Sequence, residues 1–267
     1  MAEANTDAVT DVRAINRAGW NRRVAEGDMW SIPVSPEEIA RAREGDWSVV
    51  LTPKKFVPRS WFGEIAGKDL LGLASGGGQQ CPLFAAAGAR VTSFDASDAQ
   101  LGRDAEVAAR EGLHIQTVQG YMDDLSVFPD ESFDLIFHPV SNCFAPEVVP
   151  VWRECARVLR PGGALLAGLC NPLNYIFDMD AQERGEMIVR HKLPYADTDL
   201  PPAEVERLIA RDHTLEFSHT LETQIGGQLA AGLMLTDLFE DGDSDPPRAS
   251  AAYFQPFLAT RAIRPIA

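Results

Sequence analysis

Between Lys68 and Cys170 short apolar runs alternate with amphipathic stretches, and this alternation constrains the fold more than any other feature of the chain. "DLLGLA" (69–74), "RVTSFD" (90–95), "HIQTVQ" (114–119), "FDLIFH" (133–138) and "GALLAGL" (163–169) have the length and character of strands buried in a layered domain. "QQCPLFAAAGA" (79–89), "SDAQLGRDAEVAAREG" (97–112) and "PEVVPVWRECARVLR" (146–160) read as the intervening helices. In the last of these, Val148, Val151, Trp152, Cys155 and Leu159 share one face. Strands joined through such helices require right-handed crossovers, hence a parallel sheet with helices on both faces. "LMLTDLFED" (233–241) and "YFQPFLATRAI" (253–263) add two strands, giving an α/β, doubly wound, mostly parallel sheet of seven.

The flanking regions lack this rhythm. Residues 1–66 read as helical, then irregular. "SPEEIARAREG" (35–45) has a strong helix start, with Ser35 as N-cap, Pro36 next and Glu38 completing a capping box. The stretch 171–212 carries Pro172, Pro194, Pro201 and Pro202 and reads as an insertion covering something. "HTLETQIGGQLAAG" (219–232) reads as a helix that closes this 171–232 cap. The acidic loop "GDSDPPRAS" (242–250) superficially suggests calcium, but it lacks the bidentate glutamate of an EF-hand and reads as solvated, so no metal is assigned.

Composition narrows the partners. A formal net charge of -15 argues against a general grip on nucleic acid or anionic lipid, both of which need a basic footprint. The N-terminal stretch has no apolar secretory segment, and no run approaches membrane-spanning length. Cys81, Cys143, Cys155 and Cys170 are scattered without a CxxC pair, which fits free thiols in a reducing cytoplasm. A cytoplasmic protein acting on a small molecule is therefore expected. Nothing in the sequence fixes its oligomeric state.

Three consecutive glycines, Gly76 to Gly78, follow the first strand. Such residues suit a turn where a ligand approaches the backbone. Read as G-x-G-x-x-C (Gly76, Gly78, Cys81), the loop approximates a dinucleotide fingerprint. Read as A-x-G-x-G (Ala74, Gly76, Gly78), it approximates a loop that lets the methionine part of S-adenosylmethionine run along the backbone. A tight turn without a ligand is the third reading. Asp95 ends the second strand and can accept hydrogen bonds from both hydroxyls of an adenosine ribose. That suits either nucleotide, and Asp95 could also simply cap the next helix, as Ser97 or Asp98 could.

The rest of the chain separates these readings. "LLGLASGGG" (70–78), "FDAS" (94–97), "QGYMDDLSVFPDESFDLIFH" (119–138) and "RVLRPGGALL" (157–166) together resemble the class I S-adenosylmethionine-dependent methyltransferases of the small-molecule type. The resemblance covers about residues 65–170 and implies a Rossmann-like sheet whose last strand is reversed. It further implies a domain over 67–267 that binds S-adenosylmethionine, with 1–66 including a helical lid. By the same resemblance Ala74, Gly76 and Gly78 would contact the methionine moiety, Asp95 the ribose and Ala96 the adenine. Met122 and Asp123 would line the adenine edge, and His138 would lie near the sulfonium. The chain departs from the family where Gly72 replaces the usual acid, Ala74 the usual glycine, and Tyr121 an adenine-binding aspartate.

Methyl transfer is an in-line displacement and needs a base only if the nucleophile carries a proton. His138 is a candidate base and Asn142 a candidate acceptor-orienting group; otherwise they are a neutral strand-end histidine and a turn residue. Trp20, Trp30, Trp47 and Trp61 either pack the N-terminal segment or line the pocket, and Tyr175 and Tyr195 could shape it. Three other functions remain compatible: an enzyme that cyclises or cleaves S-adenosylmethionine, a nicotinamide-dependent oxidoreductase, and a non-catalytic nucleotide-binding module. The run at 119–138 speaks against the oxidoreductase.

Overall fold

The computed structural model describes residues 11–266, so the first ten residues of the N-terminal segment lie outside it. The sheet has seven strands: β1 (Asp69–Leu73), β2 (Arg90–Asp95), β3 (Ile115–Gln119), β4 (Phe133–His138), β5 (Leu159–Cys170), β6 (Met234–Asp241) and β7 (Phe257–Ile263), in the order β3-β2-β1-β4-β5-β7-β6. The first five pair in parallel, and β7 runs antiparallel to both β5 and β6, as the resemblance implied. The helices are α1 (Val12–Glu26), α2 (Pro36–Arg43), α3 (Gln80–Ala86), α4 (Asp98–Glu111), α5 (Val149–Val158), α6 (Met179–Glu183), α7 (Pro202–Asp212) and α8 (Gly227–Ala230). A π-helical turn, Glu222–Gly226, leads into α8.

Local chemistry sets the boundaries. Ser35 and Glu38 form the capping box that starts α2. Ser97 caps α4, and Gly112 ends it in the left-handed conformation. β5 begins at Leu159, earlier than its apolar run, because Leu159 already pairs with Phe133 and the ladder shifts register before Leu135. β7 begins only at Phe257, because Ala249–Ala252 form a 3₁₀ turn just before it.

Strand alternation divides the core between the two faces. Leu70, Val91, Leu135, Phe137 and Leu166 face one layer, with Trp47, Leu51, Trp61, Phe62 and Phe84 packed on them. Leu71, Leu73, Phe94, Ile136 and Leu165 face the other, against Val151, Trp152 and Cys155 of α5. The N-terminal segment therefore has two parts. Trp47, Val49, Leu51, Val57, Trp61, Phe62 and Ile65 belong to the core, while α1 lies over the carboxyl ends of the strands. Arg157 of "RVLRPGG" is a structural hub. It pairs with Glu154 and Asp130 and donates to the carbonyls of Leu125 and Phe128, tying the 123–130 loop to α5. In the acidic loop, Asp243 is taken by Arg248 and Asp245 by Lys54. No helix among the described residues is long and apolar enough to cross a membrane.

Candidate active site

A cavity of about 320 Å³ opens over the carboxyl ends of β1, β2, β4 and β5. In a sheet of this topology that is where ligands bind. One end is built largely from backbone. Ala74, Ser75 and Gly76 line it. Ala74 adopts a left-handed φ of 47°, a conformation a residue with a Cβ rarely takes, and its N–H donates to the Phe94 carbonyl at 2.7 Å. Gly77 has φ 118°, and a Cβ there would lie 2.4 Å from the Trp30 carbonyl oxygen, so only glycine fits. Gly77 and Gly78 do not line the cavity. They face the 30–34 segment, and the Gly78 carbonyl accepts from Val34 N–H at 2.8 Å.

Two carboxylates brace the loop from beneath. Asp95 accepts from Gly76 N–H at 3.2 Å and Ser97 N–H at 2.9 Å. It also lines the cavity, and removal from bulk water pushes its pKa up to about 6. Asp104 of α4 is fully buried, accepts from Gly78 N–H at 2.8 Å and lies 2.6 Å from Ser93 Oγ; burial pushes its pKa up to about 7. Packing also accounts for Gly72. A Cβ on Gly72 would lie 2.3 Å from Cys81 Sγ, so an acid cannot occupy that position while Cys81 fills the space. The buried acid beneath the glycine loop comes from α4.

Ala96, Tyr121, Met122 and Asp123 line the wall beyond Asp95. Asp123 accepts from Arg13 at 2.6 Å, and the Arg13 guanidinium lies over the Tyr121 ring, 4.8 Å from its centroid. α1 forms the roof. Its buried Asn16 accepts from Leu215 N–H at 2.7 Å and donates to the carbonyls of Leu215 and Phe144 at 3.0 and 2.9 Å. Asn21 accepts from Ser97 Oγ at 2.6 Å, and Trp20 meets Phe144 edge to face at 5.3 Å. The tryptophans divide: Trp20 and Trp30 line the cavity, whereas Trp47 and Trp61 are buried in the core.

The opposite end is built from side chains far apart in sequence: Thr52 and Pro53, Cys143, Cys170, Tyr175, Glu216 and Arg248. Tyr175 donates its hydroxyl to Glu216 Oε2 at 2.8 Å and stacks on Tyr195, 5.7 Å between centroids. Tyr195 itself stands behind the wall, donating to Asp197 at 2.5 Å. Arg248 pairs with Asp243 through Nε at 2.7 Å.

His138 and Asn142 do not line the cavity. His138 is fully buried, with Nδ1 2.9 Å from the Leu73 carbonyl and Nε2 2.7 Å from the Asn142 side chain. Burial lowers its pKa, so the ring is neutral and Nδ1–H donates to Leu73. Nε2 is then an acceptor and requires the Asn142 amide turned to present its nitrogen, which also gives that otherwise unpartnered nitrogen a partner. The pair joins the β1 and β4 ends and is shut off from a ligand. Of the other positions named from the sequence, Ala74, Gly76, Asp95, Ala96, Met122 and Asp123 come together in the cavity wall, and Gly78 does not. Sequence reasoning missed Glu216, Arg248, Asn16 and Asp104. Glu216 lies between the buried Leu215 and Phe217, a pattern that places it on the far side of the segment without revealing what it faces. Arg248 had a signal, as the single cation in an acidic loop.

Comparison with known proteins agrees with this geometry. Residues 71–167 match the family described as Methyltransferase domain. The chain is 46% identical over 252 residues to YbaJ of Bacillus subtilis (strain 168), named as an uncharacterized methyltransferase, covering 94% of this chain and 98% of that one. Among solved structures, an S-adenosylmethionine-dependent methyltransferase from Mesorhizobium loti superposes with a TM-score of 0.60 at 19% identity, covering 77% of this chain and 95% of that one. The 1,6-didemethyltoxoflavin-N1-methyltransferase of Burkholderia thailandensis gives 0.57 at 15% identity, covering 95% and 88%. With this sheet order, a glycine loop at the end of β1, a carboxylate at the end of β2 and a near full-length relative, the chain belongs to the S-adenosylmethionine-dependent methyltransferases.

Proposed function

We propose that the protein transfers the methyl group of S-adenosylmethionine to a small-molecule acceptor held at the side-chain end of the cavity. The observation that carries this reading is Asp95: a desolvated carboxylate facing the cavity at the end of β2, held by two backbone N–H groups and with lone pairs left to accept ribose hydroxyls. Ala74, Ser75 and Gly76 would lie along the methionine portion, and Ala96, Met122 and Asp123 along the adenine. Once bound there, the sulfonium supplies an electrophilic methyl group. The chain's contribution is alignment and exclusion of water, through a roof made by α1 and the 213–217 segment. His138 and Asn142 act by fixing the β1 and β4 ends rather than by touching a ligand. A cavity of about 320 Å³ beneath this roof, in a chain of net charge -15, supports a small acceptor over a nucleic acid. The free cysteines fit a cytoplasmic setting.

Calorimetric titration with S-adenosylmethionine, S-adenosylhomocysteine and NAD tests the reading. Micromolar binding of the two sulfur nucleosides without NAD binding is expected; the reverse pattern overturns it. Product analysis then separates methyl transfer, which leaves S-adenosylhomocysteine, from cyclisation, which leaves methylthioadenosine.

A further inference from the structure

Glu216 is a carboxylate facing the cavity without a cation of its own. Its one side-chain hydrogen bond comes from Tyr175, and no ion pair to it is present among the described residues. It lines the cavity together with Cys170, the last residue of β5, whereas Asp95 ends β2. Three strand spacings separate those ends, about 14 Å at ~4.8 Å each. A ribose at Asp95 therefore leaves Glu216 to the acceptor. We propose that Glu216, oriented by Tyr175, recognises the acceptor by its N–H or O–H group and takes that proton as the methyl group is transferred. The inference rests on the methyltransferase reading and adds to it a substrate class, a protonated heteroatom nucleophile, and a base.

The step balances. The acceptor's lone pair forms the new bond to the methyl carbon, and the electron pair of the breaking carbon–sulfur bond stays on sulfur. The acceptor's proton passes to a Glu216 oxygen and leaves to water after product departs. The surroundings suit that role. Burial raises the Glu216 pKa, which makes it a stronger base than an exposed glutamate. The Tyr175 hydroxyl and the more distant Arg23 and Arg248 charges favour its ionised form, and Asp197 opposes it. Cys143 stays a thiol across the neutral range: its contact with Cys170, followed by burial, raises it far above the usual thiol value. Tyr175 and Tyr195 are likewise raised and remain neutral donors. Among the described residues lining this end of the cavity, Glu216 is the only carboxylate, and neither an arginine nor a lysine is bound to it.

Protein loaded with S-adenosylhomocysteine is titrated with phenol, benzylamine and the donor-free anisole. Phenol and benzylamine are expected to bind at millimolar concentration and anisole more weakly. Glu216→Gln is expected to weaken both donor probes by about tenfold, the scale of one charged hydrogen bond, with S-adenosylhomocysteine affinity unchanged. Tyr175→Phe provides a second variant. Removing its hydroxyl destabilises the carboxylate, so the pH dependence of benzylamine binding should move to higher pH, a change that a packing role would not produce. Donor probes that fail to bind, or that bind Glu216→Gln as tightly as wild type, overturn the assignment while leaving the methyltransferase reading intact. Wild-type protein that fails to bind S-adenosylhomocysteine overturns that reading first.

Discussion

The two ends of the cavity are built on different principles. At the Asp95 end the wall is backbone around one carboxylate, and its parts come from neighbouring segments: the turn after β1, the last residue of β2 and the loop after β3. At the Glu216 end the wall is side chain, and its parts come from residues near 52, 143, 170, 175, 216 and 248. A side-chain wall assembled from loops can be rebuilt without disturbing the sheet, so under the proposed function acceptor choice would fall there and nucleotide binding at the Asp95 end.

The sharpest way to break this contrast is Asp95→Ala. It removes charge-assisted hydrogen bonds worth about 3 kcal/mol, roughly a hundredfold in S-adenosylmethionine affinity by calorimetry. A folded variant that binds unchanged would show that the Asp95 end does not hold the ribose. Wild-type affinity should also fall as pH drops through about 6, because ribose hydroxyls favour the ionised carboxylate that protonation removes. Asn16→Ala probes the join between α1 and the 213–217 segment. It strands the Leu215 N–H and the carbonyls of Leu215 and Phe144, and should cost about 2 kcal/mol. Amide hydrogen exchange should then speed up across both α1 and 213–217. Exchange that rises in α1 alone would show that the two roof elements are independent.

Asp104 offers a stability test at the backbone end. Its folded pKa of about 7 lies above the unfolded value of about 3.9. Its contribution is therefore full below about pH 4 and lost as pH rises through 7. Denaturant unfolding should show wild type less stable at pH 8 than at pH 5, with Asp104→Asn flattening that slope. The smallest effect belongs to Ala74→Gly. Relief of the left-handed conformation outweighs the entropy of a glycine by up to about 1 kcal/mol. A loss of stability there would mean that the Ala74 methyl group packs usefully.

The same division explains what could be read from the sequence. The strands and their order of appearance were legible because buried parallel strands impose apolar runs at helix-length intervals. The glycine loop and Asp95 were legible because a close backbone approach and a strand-end carboxylate are local demands. Asp104 was not legible, since it sits on α4, 26 residues beyond the Gly78 N–H it accepts from, and nothing local to the glycine loop marks it. For His138 two readings stood open, a base near the ligand or a neutral histidine hydrogen-bonded at a strand end, and the structure has the second, with Nδ1 on the Leu73 carbonyl and Nε2 on Asn142. Glu216 was hidden for a different reason. Its neighbours Leu215 and Phe217 reveal that one side of the segment is buried, but only the docking of α1 and Tyr175 turns the other side into a cavity wall.

The contact between Gly72 and Cys81 also has an evolutionary consequence. A sulfur atom occupies the space any side chain at position 72 would need, and the carboxylate serving the loop already stands on another element. An acid introduced at 72 alone would clash with Cys81, and a smaller residue at 81 alone would leave a hole. An acid at 72 therefore requires at least two changes whose single steps are each harmful. Positions 72 and 81 are thus free to vary only together.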